Sequence, residues 1–365
     1  MPVTNEHNQT SSVTAVNDFF AERPSYEEGY QKEQDVVIRL VSNKVGRKEK
    51  KPYKVTGIDD VAAKNNWKAW LYLAPALILV VIFLLYPLIN TIFISFFKDY
   101  SYAKGTFSGF TLDNFGMIFG LTSYTAGGHT ATETDFVQYA IPRTFEIVFI
   151  TVPLSTLIAL LISVGLNSLK WFKKVLQTIF FIPYVTNTIA VGMVFQVMFR
   201  TDGIINYIFK SDIVWVGNGA TVFTAMIPLC AYIIWSSLPF KILIFLSGLQ
   251  GIDKQYYQAA QIDAASKNKV LWKITVPLMS PQILYIVVTS FIGAFKEYTS
   301  IVGLFKGPGV AGTSGPKNMY TIVYYIYENL NTQTGWAAAA AVFLFVLILI
   351  FTFLQLGVSK KRVHY

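Results

Sequence analysis

The chain has 365 residues, a mean hydropathy of +0.45 and 53% hydrophobic residues. Because the apolar residues cluster in long runs, this composition excludes an ordinary soluble protein and places most of the chain in a lipid bilayer. The net charge of +9 does not indicate a nucleic-acid partner, because most Lys and Arg residues lie beside the apolar runs, where they set membrane topology.

Residues 1–66 form a polar tail of mixed charge that includes the basic run at 47–51. Its low apolar content predicts a cytoplasmic tail that is disordered or weakly helical, separate from a membrane domain over residues 67–365. The alternative is that the tail docks to a partner protein or to anionic lipid headgroups.

Six later segments are apolar enough to cross a membrane, which takes roughly 20 apolar residues per helix. Several contain proline, which a bilayer tolerates where neighbouring helices satisfy the freed carbonyl groups. The sequence therefore predicts an all-α, polytopic membrane protein in which six kinked transmembrane helices surround a cavity. The predicted spans are residues 69–97, 145–168, 175–199, 221–248, 282–304 and 335–357.

Basic residues are distributed unevenly between the segments that connect these spans. Twenty of the 30 Lys and Arg residues lie in the tail, the link at 170–174, the loop at 249–281 and the end at 360–362. Six spans put these four segments on one side, which the excess of positive charge identifies as the cytoplasm. We therefore predict that both termini are cytoplasmic. The loops predicted to face outward are residues 98–140, 200–220 and 305–334.

Residues that commonly bind metals or act as nucleophiles are scarce. Cys230 is the single cysteine and lies in an apolar run, so the chain can form no intrachain disulfide. His7, His129 and His364 lie in polar segments and are too far apart for helical ligand spacing. We expect no metal site, no cofactor and no catalytic residue.

The loop between the fourth and fifth predicted spans is rich in alanine. Residues 256–266 have a helical register with small side chains, and an apolar stretch follows that ends at Pro277 and Pro281. Small side chains let another protein's backbone approach closely, and the polar residues between them supply hydrogen bonds. This pattern favours a docking surface, and the alternative is an amphipathic helix that lies on the membrane.

Three short motifs stand in this loop: residues 258–260 read Gln-Ala-Ala, residues 263–265 read Asp-Ala-Ala, and residues 274–277 read Ile-Thr-Val-Pro. Together with motifs elsewhere in residues 68–360, they resemble the permease subunits of carbohydrate-uptake ABC importers, of the maltose and glycerol-phosphate type. The other motifs are Phe180-Phe181-Ile182-Pro183, Gly203-Ile204-Ile205-Asn206, Leu238-Pro239-Phe240, Ser290-Phe291 and Gly335-Trp336-Ala337-Ala338.

The resemblance implies the type I ABC importer permease fold and a loop that docks to the ATPase. Gln258 stands where the family has Glu, and Ala264 stands where it has Gly. If the turn at Ala264 is left-handed, alanine costs about 1 kcal/mol there. The implied docking residues are Tyr257, Gln258, Ala259, Ala260, Asp263, Ala264, Ala265, Ile274 and Pro277.

The chain has no Gly-x4-Gly-Lys-Ser/Thr phosphate loop, so we expect a transporter subunit that does not itself hydrolyse ATP. The resemblance implies three kinds of partner in a bacterial cytoplasmic (inner) membrane: a second homologous permease, two ATP-binding subunits and an extracellular solute-binding protein. Closure of the ATPases would switch the cavity between its inward and outward states, so that an oligosaccharide or related sugar is imported.

By the same resemblance, the sugar contacts lie on the fourth and fifth spans. Ser and Glu side chains form hydrogen bonds with the hydroxyl groups of a sugar, and an aromatic ring stacks on the C–H face of the sugar ring. The alternative is ordinary helix packing, in which Ser lies at helix contacts and Phe faces lipid. The implied residues of the substrate path are Ser236, Ser237, Phe240, Ser290, Gly293, Ala294 and Glu297.

Three ionisable residues lie within predicted spans: Lys241, Lys296 and Glu297. A charge at bilayer depth is costly and usually faces a cavity or a partner. We expect Lys241, near the cytoplasmic end of its span, to extend to the membrane interface, and Glu297 to face the cavity. Because Lys296 and Glu297 are adjacent on a helix, they should not neutralise each other.

Two other functions are compatible with a kinked helical bundle. A proton- or sodium-coupled secondary transporter would also contain intramembrane charges, but it would need no docking loop. A membrane enzyme would need a metal cluster or a nucleophile with a base, and the predicted spans carry neither pattern.

Overall fold

The computed structural model describes residues 58–101, 104–126, 129–132, 134–169, 173–217, 219–306 and 319–359. Most of the predicted tail lies outside these residues, as do the basic segments 170–172 and 360–362. The chain divides into two units, Met1–Leu77 and Ile78–Tyr365. The described part of the first unit is helical throughout.

The described residues are mainly helical, with two small antiparallel hairpins. The hairpins pair β1 (Phe97–Lys98) with β2 (Gly109–Phe110) and β3 (Ser123–Ala126) with β4 (His129–Thr132). π-helical turns at Val81–Leu85, Phe136–Ala140 and Leu271–Thr275 precede the second, fourth and eleventh helices. The helices are α1 (Ile58–Val80), α2 (Tyr86–Ser95), α3 (Asp113–Ile118), α4 (Ile141–Ser168), α5 (Lys173–Val185), α6 (Thr188–Met198), α7 (Ile204–Phe209), α8 (Val222–Gly251), α9 (Lys254–Ile262), α10 (Lys267–Val270), α11 (Val276–Leu278), α12 (Ser280–Phe295), α13 (Thr299–Phe305), α14 (Ile322–Asn329) and α15 (Thr334–Ser359).

Four stretches of helix within the described ranges are long and apolar enough to cross a membrane, and they match the first, second, fourth and sixth predicted spans. A further pair, Lys267–Leu278 and Ser280–Phe295, passes the same test as one span with a bend of 70°. The four long stretches are Lys68–Ser95, Phe136–Ser168, Val222–Gly251 and Thr334–Ser359.

The third and fifth predicted spans are wrong as single helices. The third is divided between α5 and α6, because the Asn187 side chain accepts hydrogen bonds from Ile189 N at 2.9 Å and Ala190 N at 3.3 Å and so caps α6. The fifth ends at Phe295. Residues 299–305 form the separate helix α13, whose Ser300 N donates to the Glu297 carboxylate at 3.0 Å.

The cavity described below is framed by α4, α8 and α12. α8 has its most extensive contact with α4, and Ser163 Oγ donates across it to Ile242 O at 3.2 Å. Beside this frame α6 crosses α13 at two glycines. A Cβ atom on Gly192 would lie 2.7 Å from the carbonyl carbon of Gly303, so the close approach of the two backbones depends on glycine.

The loop between α6 and α8 is organised by the buried side chain of Asn206. Its Nδ2 donates to Thr201 O at 3.1 Å and to Ile213 O at 2.8 Å. Its Oδ1 accepts from Ser211 Oγ at 3.0 Å and from Trp215 Nε1 at 2.7 Å. This one side chain therefore joins four points of the loop.

Candidate functional site

All seven residues that we assigned to the substrate path line one cavity of about 410 Å³ between α4, α8 and α12. The structure therefore brings residues of two separate spans to one site. The cavity-lining residues of this set are Ser236, Ser237, Phe240, Ser290, Gly293, Ala294 and Glu297. The others, which we did not predict, are Thr151, Val152, Ser155, Tyr184, Ile233, Lys241 and Thr289.

Helical spacing explains how α8 and α12 supply two walls. The four residues of α12 and the turn after it recur at i, i+3, i+4 and i+7 from Ser290, which puts them on one helix face. On α8, Ser236 Oγ donates to Ile233 O at 3.1 Å and Ser237 Oγ donates to Ile234 O at 2.9 Å. Each hydroxyl oxygen can still accept a hydrogen bond from a ligand.

An aromatic pair forms another part of the wall. The rings of Tyr184 and Phe240 are nearly parallel, with an interplanar angle of 16° and a centroid distance of 6.3 Å. Tyr184 lies at the end of α5, just before the break that divides the third predicted span. The sequence did not predict that Tyr184 lines the cavity, because its place in the wall depends on the helix break, which helical periodicity does not reveal.

Lys241 also lines the cavity, so our expectation that it extends to the membrane interface is wrong. The residue is 5% exposed, and its Nζ donates a hydrogen bond to Ser155 Oγ on α4. The Ser155 hydroxyl donates in turn to Thr151 O at 2.5 Å. A sequence signal existed, since Lys241 follows Ser237 by four residues and therefore shares its helix face.

Glu297 is held at the junction of α12 and α13. Besides its bond to the Ser300 amide, its backbone oxygen accepts from Thr321 Oγ1 at 3.0 Å. The two ion pairs found in the described parts of the chain involve other side chains. The neighbouring Lys296 is exposed, in agreement with the expectation that these two charges do not neutralise each other.

A second cavity of about 340 Å³ adjoins the first, with which it shares Tyr184, Ser236 and Glu297. Much of its wall is polar. Tyr232 donates to Thr188 O at 2.5 Å and so ties α8 to the start of α6. The remaining lining residues are Thr186, Val191, Trp235, Lys296, Thr299 and Ser300.

The predicted docking loop begins with helix α9. Asp253 caps it, since its Oδ1 accepts from Gln255 N at 2.9 Å. Tyr257 Oη lies 3.3 Å from Oγ1 of the buried Thr275, so α9 is joined to the π-helical turn that precedes α11. The loop is thus a folded element rather than an extended connection.

The Asp-Ala-Ala motif forms the turn that ends α9. Ala264 N donates to Gln261 O at 3.1 Å and Ala265 N donates to Ala260 O at 2.9 Å, which is the Schellman pattern. Ala264 has a φ of +49°, so the position at which the resemblance implies a glycine is left-handed in this chain. The alanine therefore carries the strain that we expected for such a turn.

Exposure differs among the nine predicted docking residues. Ala260 is only 5% exposed, so its side chain packs within this chain and is not available to a partner. Two apolar residues that we did not predict, Ile262 and Trp272, are 86% and 51% exposed. The exposed predicted residues are Gln258, Ala259, Asp263, Ala264 and Pro277, and the half-buried ones are Tyr257, Ala265 and Ile274.

Comparison with known families identifies the chain. The family described as "Binding-protein-dependent transport system inner membrane component" matches residues 143–364, which include both cavities and the docking loop. The chain belongs to this family. It is therefore a permease component of a transport system and not an enzyme, and the prediction of a multi-pass membrane protein is confirmed.

Several similar proteins are permeases of sugar transport systems. The arabinooligosaccharides transport system permease protein AraP of Bacillus subtilis is 29% identical over 284 residues, which are 75% of this chain and 82% of AraP. The lactose transport system permease protein LacF of Rhizobium radiobacter is 27% identical over 267 residues, 71% of this chain and 81% of LacF. The trehalose/maltose permease protein MalF of Thermococcus litoralis is 28% identical over 261 residues, 70% of this chain and 82% of MalF.

A solved structure has the same fold. One chain of a bacterial ABC transporter involved in the import of the acidic polysaccharide alginate superposes with a TM-score of 0.66 at 19% identity, over 82% of this chain and 98% of that chain. Similarity at this level of identity concerns the fold alone. It confirms the predicted all-α fold of type I importer permeases.

Proposed function

We propose that this permease translocates an oligosaccharide or a related sugar through the cavity of about 410 Å³, in an importer driven by separate ATPase subunits. The observation that carries the proposal is that all seven residues of the predicted substrate path line that single cavity. Residues 67–365 would form the permease domain, and residues 1–66 would form a cytoplasmic tail.

The chemistry of the cavity suits a carbohydrate. Serine and threonine hydroxyls and the Glu297 carboxylate match the many hydroxyl groups of a sugar. The Phe240 and Tyr184 rings offer a flat apolar surface for a sugar ring's C–H face. The names of AraP, LacF and MalF, which refer to arabinooligosaccharides, lactose and trehalose/maltose, support the same substrate class.

Coupling to ATPases would act through the loop at 249–281. Gly248, near the end of α8, packs so closely on the helix bend that an added Cβ would lie 2.9 Å from Met279 Sδ. Met279 is fully buried at the start of α12. Because α8 and α12 both form cavity walls, a movement of the docked loop would be transmitted to the cavity.

The complete importer would contain a second homologous permease, two ATP-binding subunits and an extracellular solute-binding protein, in a bacterial cytoplasmic membrane with both termini of this chain inside. Large apolar side chains on the first span, such as Phe83 and Phe93, are 74% and 55% exposed and so are available to lipid or to the second permease. The Lys-rich segments support the orientation.

Sugar uptake by the reconstituted importer tests the proposal. Proteoliposomes that contain both permeases and the ATPases, with the binding protein added, should take up labelled arabino-oligosaccharide, lactose or maltose only when ATP is present on the ATPase side. Uptake that follows a proton or sodium gradient without ATP would instead identify a secondary transporter.

Crosslinking tests the docking loop separately. Ala259→Cys, at an exposed position of α9, should crosslink to cysteines on the ATPase surface, with a yield that changes when ATP is added. Ala260→Cys is the matched control, because the adjacent side chain is buried and should crosslink poorly. Equal yields at both positions, or crosslinks to lipid analogues alone, would contradict docking through this face.

A further inference from the structure

The charge on Lys241 is buried in the wall of the substrate cavity and has little compensation from the protein. The side chain is 5% exposed, although it lies within a span, where a charge is costly. Its Nζ donates to one neutral group, the Ser155 hydroxyl. An ammonium group has three donors, so this contact leaves capacity for a ligand.

The carboxylates of the described residues do not supply a counter-charge. None of them has an oxygen within 4.0 Å of Lys241 Nζ. The ion pairs found among the described residues are Arg143 with Glu146 and Arg200 with Asp202. Buried charges in proteins are usually paired, and removing one member of such a pair is strongly unfavourable. A buried cation that faces a cavity and has no carboxylate oxygen within 4.0 Å among the described residues is therefore suited to an anion from outside the chain.

Glu297 serves the other end of the cavity. It borders the second cavity together with Ser236, whereas Lys241 lines the first cavity only. Lys241 lies five residues beyond Ser236 on α8, which corresponds to about 7.5 Å along the helix axis. The Glu297 carboxylate also already accepts the Ser300 amide. The cavity thus has a cationic end at Lys241 and, towards Ser236 and Glu297, an end that accepts hydrogen bonds from hydroxyl groups.

We propose that Lys241 is a specificity-determining residue that pairs with an anionic group of the substrate, so that the importer prefers a sugar bearing a carboxylate or phosphate over its neutral counterpart. This inference rests on the proposed function. The anionic group would bind the Lys241 ammonium beside Ser155, and the sugar hydroxyls would reach Ser236 and Glu297.

Competitive binding to the assembled permease–ATPase complex in nanodiscs tests this assignment. The probes are digalacturonate, which carries carboxylates, neutral galactobiose of matched length, and galactose 6-phosphate. Wild type should bind at least one anionic probe more tightly than galactobiose. In Lys241→Met the ratio of anionic to neutral affinity should fall ten- to hundredfold, as expected for loss of a charge-assisted hydrogen bond.

Matched variants separate recognition from helix packing. Lys241→Arg keeps the charge and should retain most of the preference, while Lys98→Met removes an exposed lysine on β1 and controls for net charge. If Lys241 only ties α8 to α4, Lys241→Met and Ser155→Ala should lower complex yield and should weaken all probes equally. That result would overturn the proposal.

Wild-type measurements make the test independent of variant folding. Equal affinity of wild type for the anionic probes and galactobiose would overturn the inference even if no variant assembled. In that case, ATP-dependent uptake of a neutral sugar would leave the proposed function intact. Failure of every sugar in the ATP-dependent uptake assay would instead refute the proposed function.

Discussion

Replacing Ala264 by glycine should stabilise the docking loop, whereas the same replacement at Ala259 should destabilise it. Ala264 has a φ of +49° in the Schellman turn. Ala259 lies within the regular helix α9, and both side chains are exposed, so neither change removes buried contacts. The two variants therefore differ in backbone conformation alone.

The magnitudes follow from that conformation. A left-handed alanine destabilises the turn by roughly 1–2 kcal/mol. Glycine removes this strain but also raises the entropy of the unfolded chain, which opposes folding by about 0.5–1 kcal/mol. Ala264→Gly should thus stabilise the turn by about 0.5–1 kcal/mol. Ala259→Gly should destabilise α9 by about 1 kcal/mol, because glycine is a poor helix former.

Amide hydrogen exchange of the purified protein measures this difference. The amides of Ala264 and Ala265 donate the two hydrogen bonds of the turn, so their exchange reports its opening. Exchange should slow roughly two- to fivefold in Ala264→Gly and should accelerate by about fivefold in Ala259→Gly. Changes of the same sign in the two variants would refute the assignment of a strained left-handed turn.

Three further predictions concern the helix crossing, the loop around Asn206 and the cavity. Gly192→Ala should destabilise the protein by roughly 1–3 kcal/mol, because the added Cβ would meet the backbone of Gly303. The control Gly165→Ala adds a Cβ in open space and should be neutral or stabilising. Equal thermal stabilities of the two variants would contradict the close crossing. Asn206→Asp removes two hydrogen-bond donors and sets a carboxylate beside two carbonyl oxygens, so the stability of the loop should fall by about 2 kcal/mol or more. Tryptophan fluorescence during denaturation measures this loss. An unchanged midpoint would show that Asn206 does not organise the loop. Glu297→Gln keeps an acceptor for the Ser300 amide in the first turn of α13, so complex yield should be retained. The apparent affinity for sugar should change roughly ten- to hundredfold, and wild-type uptake kinetics would exclude a substrate contact.

The sequence determined the features that depend on local composition and spacing. Apolar runs of sufficient length identified four of the spans directly, because the bilayer imposes a length on any crossing helix. The family resemblance implied that Ser290 and Glu297 contact the substrate, and both residues line one cavity. The resemblance implied that Ala264 stands in place of a glycine, and the left-handed φ of this residue is one that glycine adopts without strain.

Tertiary structure alone decided the features that depend on which helix lies opposite. Lys241 lies against α4, where the Ser155 hydroxyl accepts a hydrogen bond from its ammonium group. These two residues are far apart in the sequence, so only the packing of α8 on α4 brings them together. Ala260 is buried although its neighbour Ala259 is exposed, because only one face of α9 packs on the chain. The third span is divided because the Asn187 side chain caps a new helix, which an apolar run of sufficient length does not reveal. Hydropathy averages over a segment, whereas a single cap or cross-helix hydrogen bond depends on one side chain and its neighbours in space.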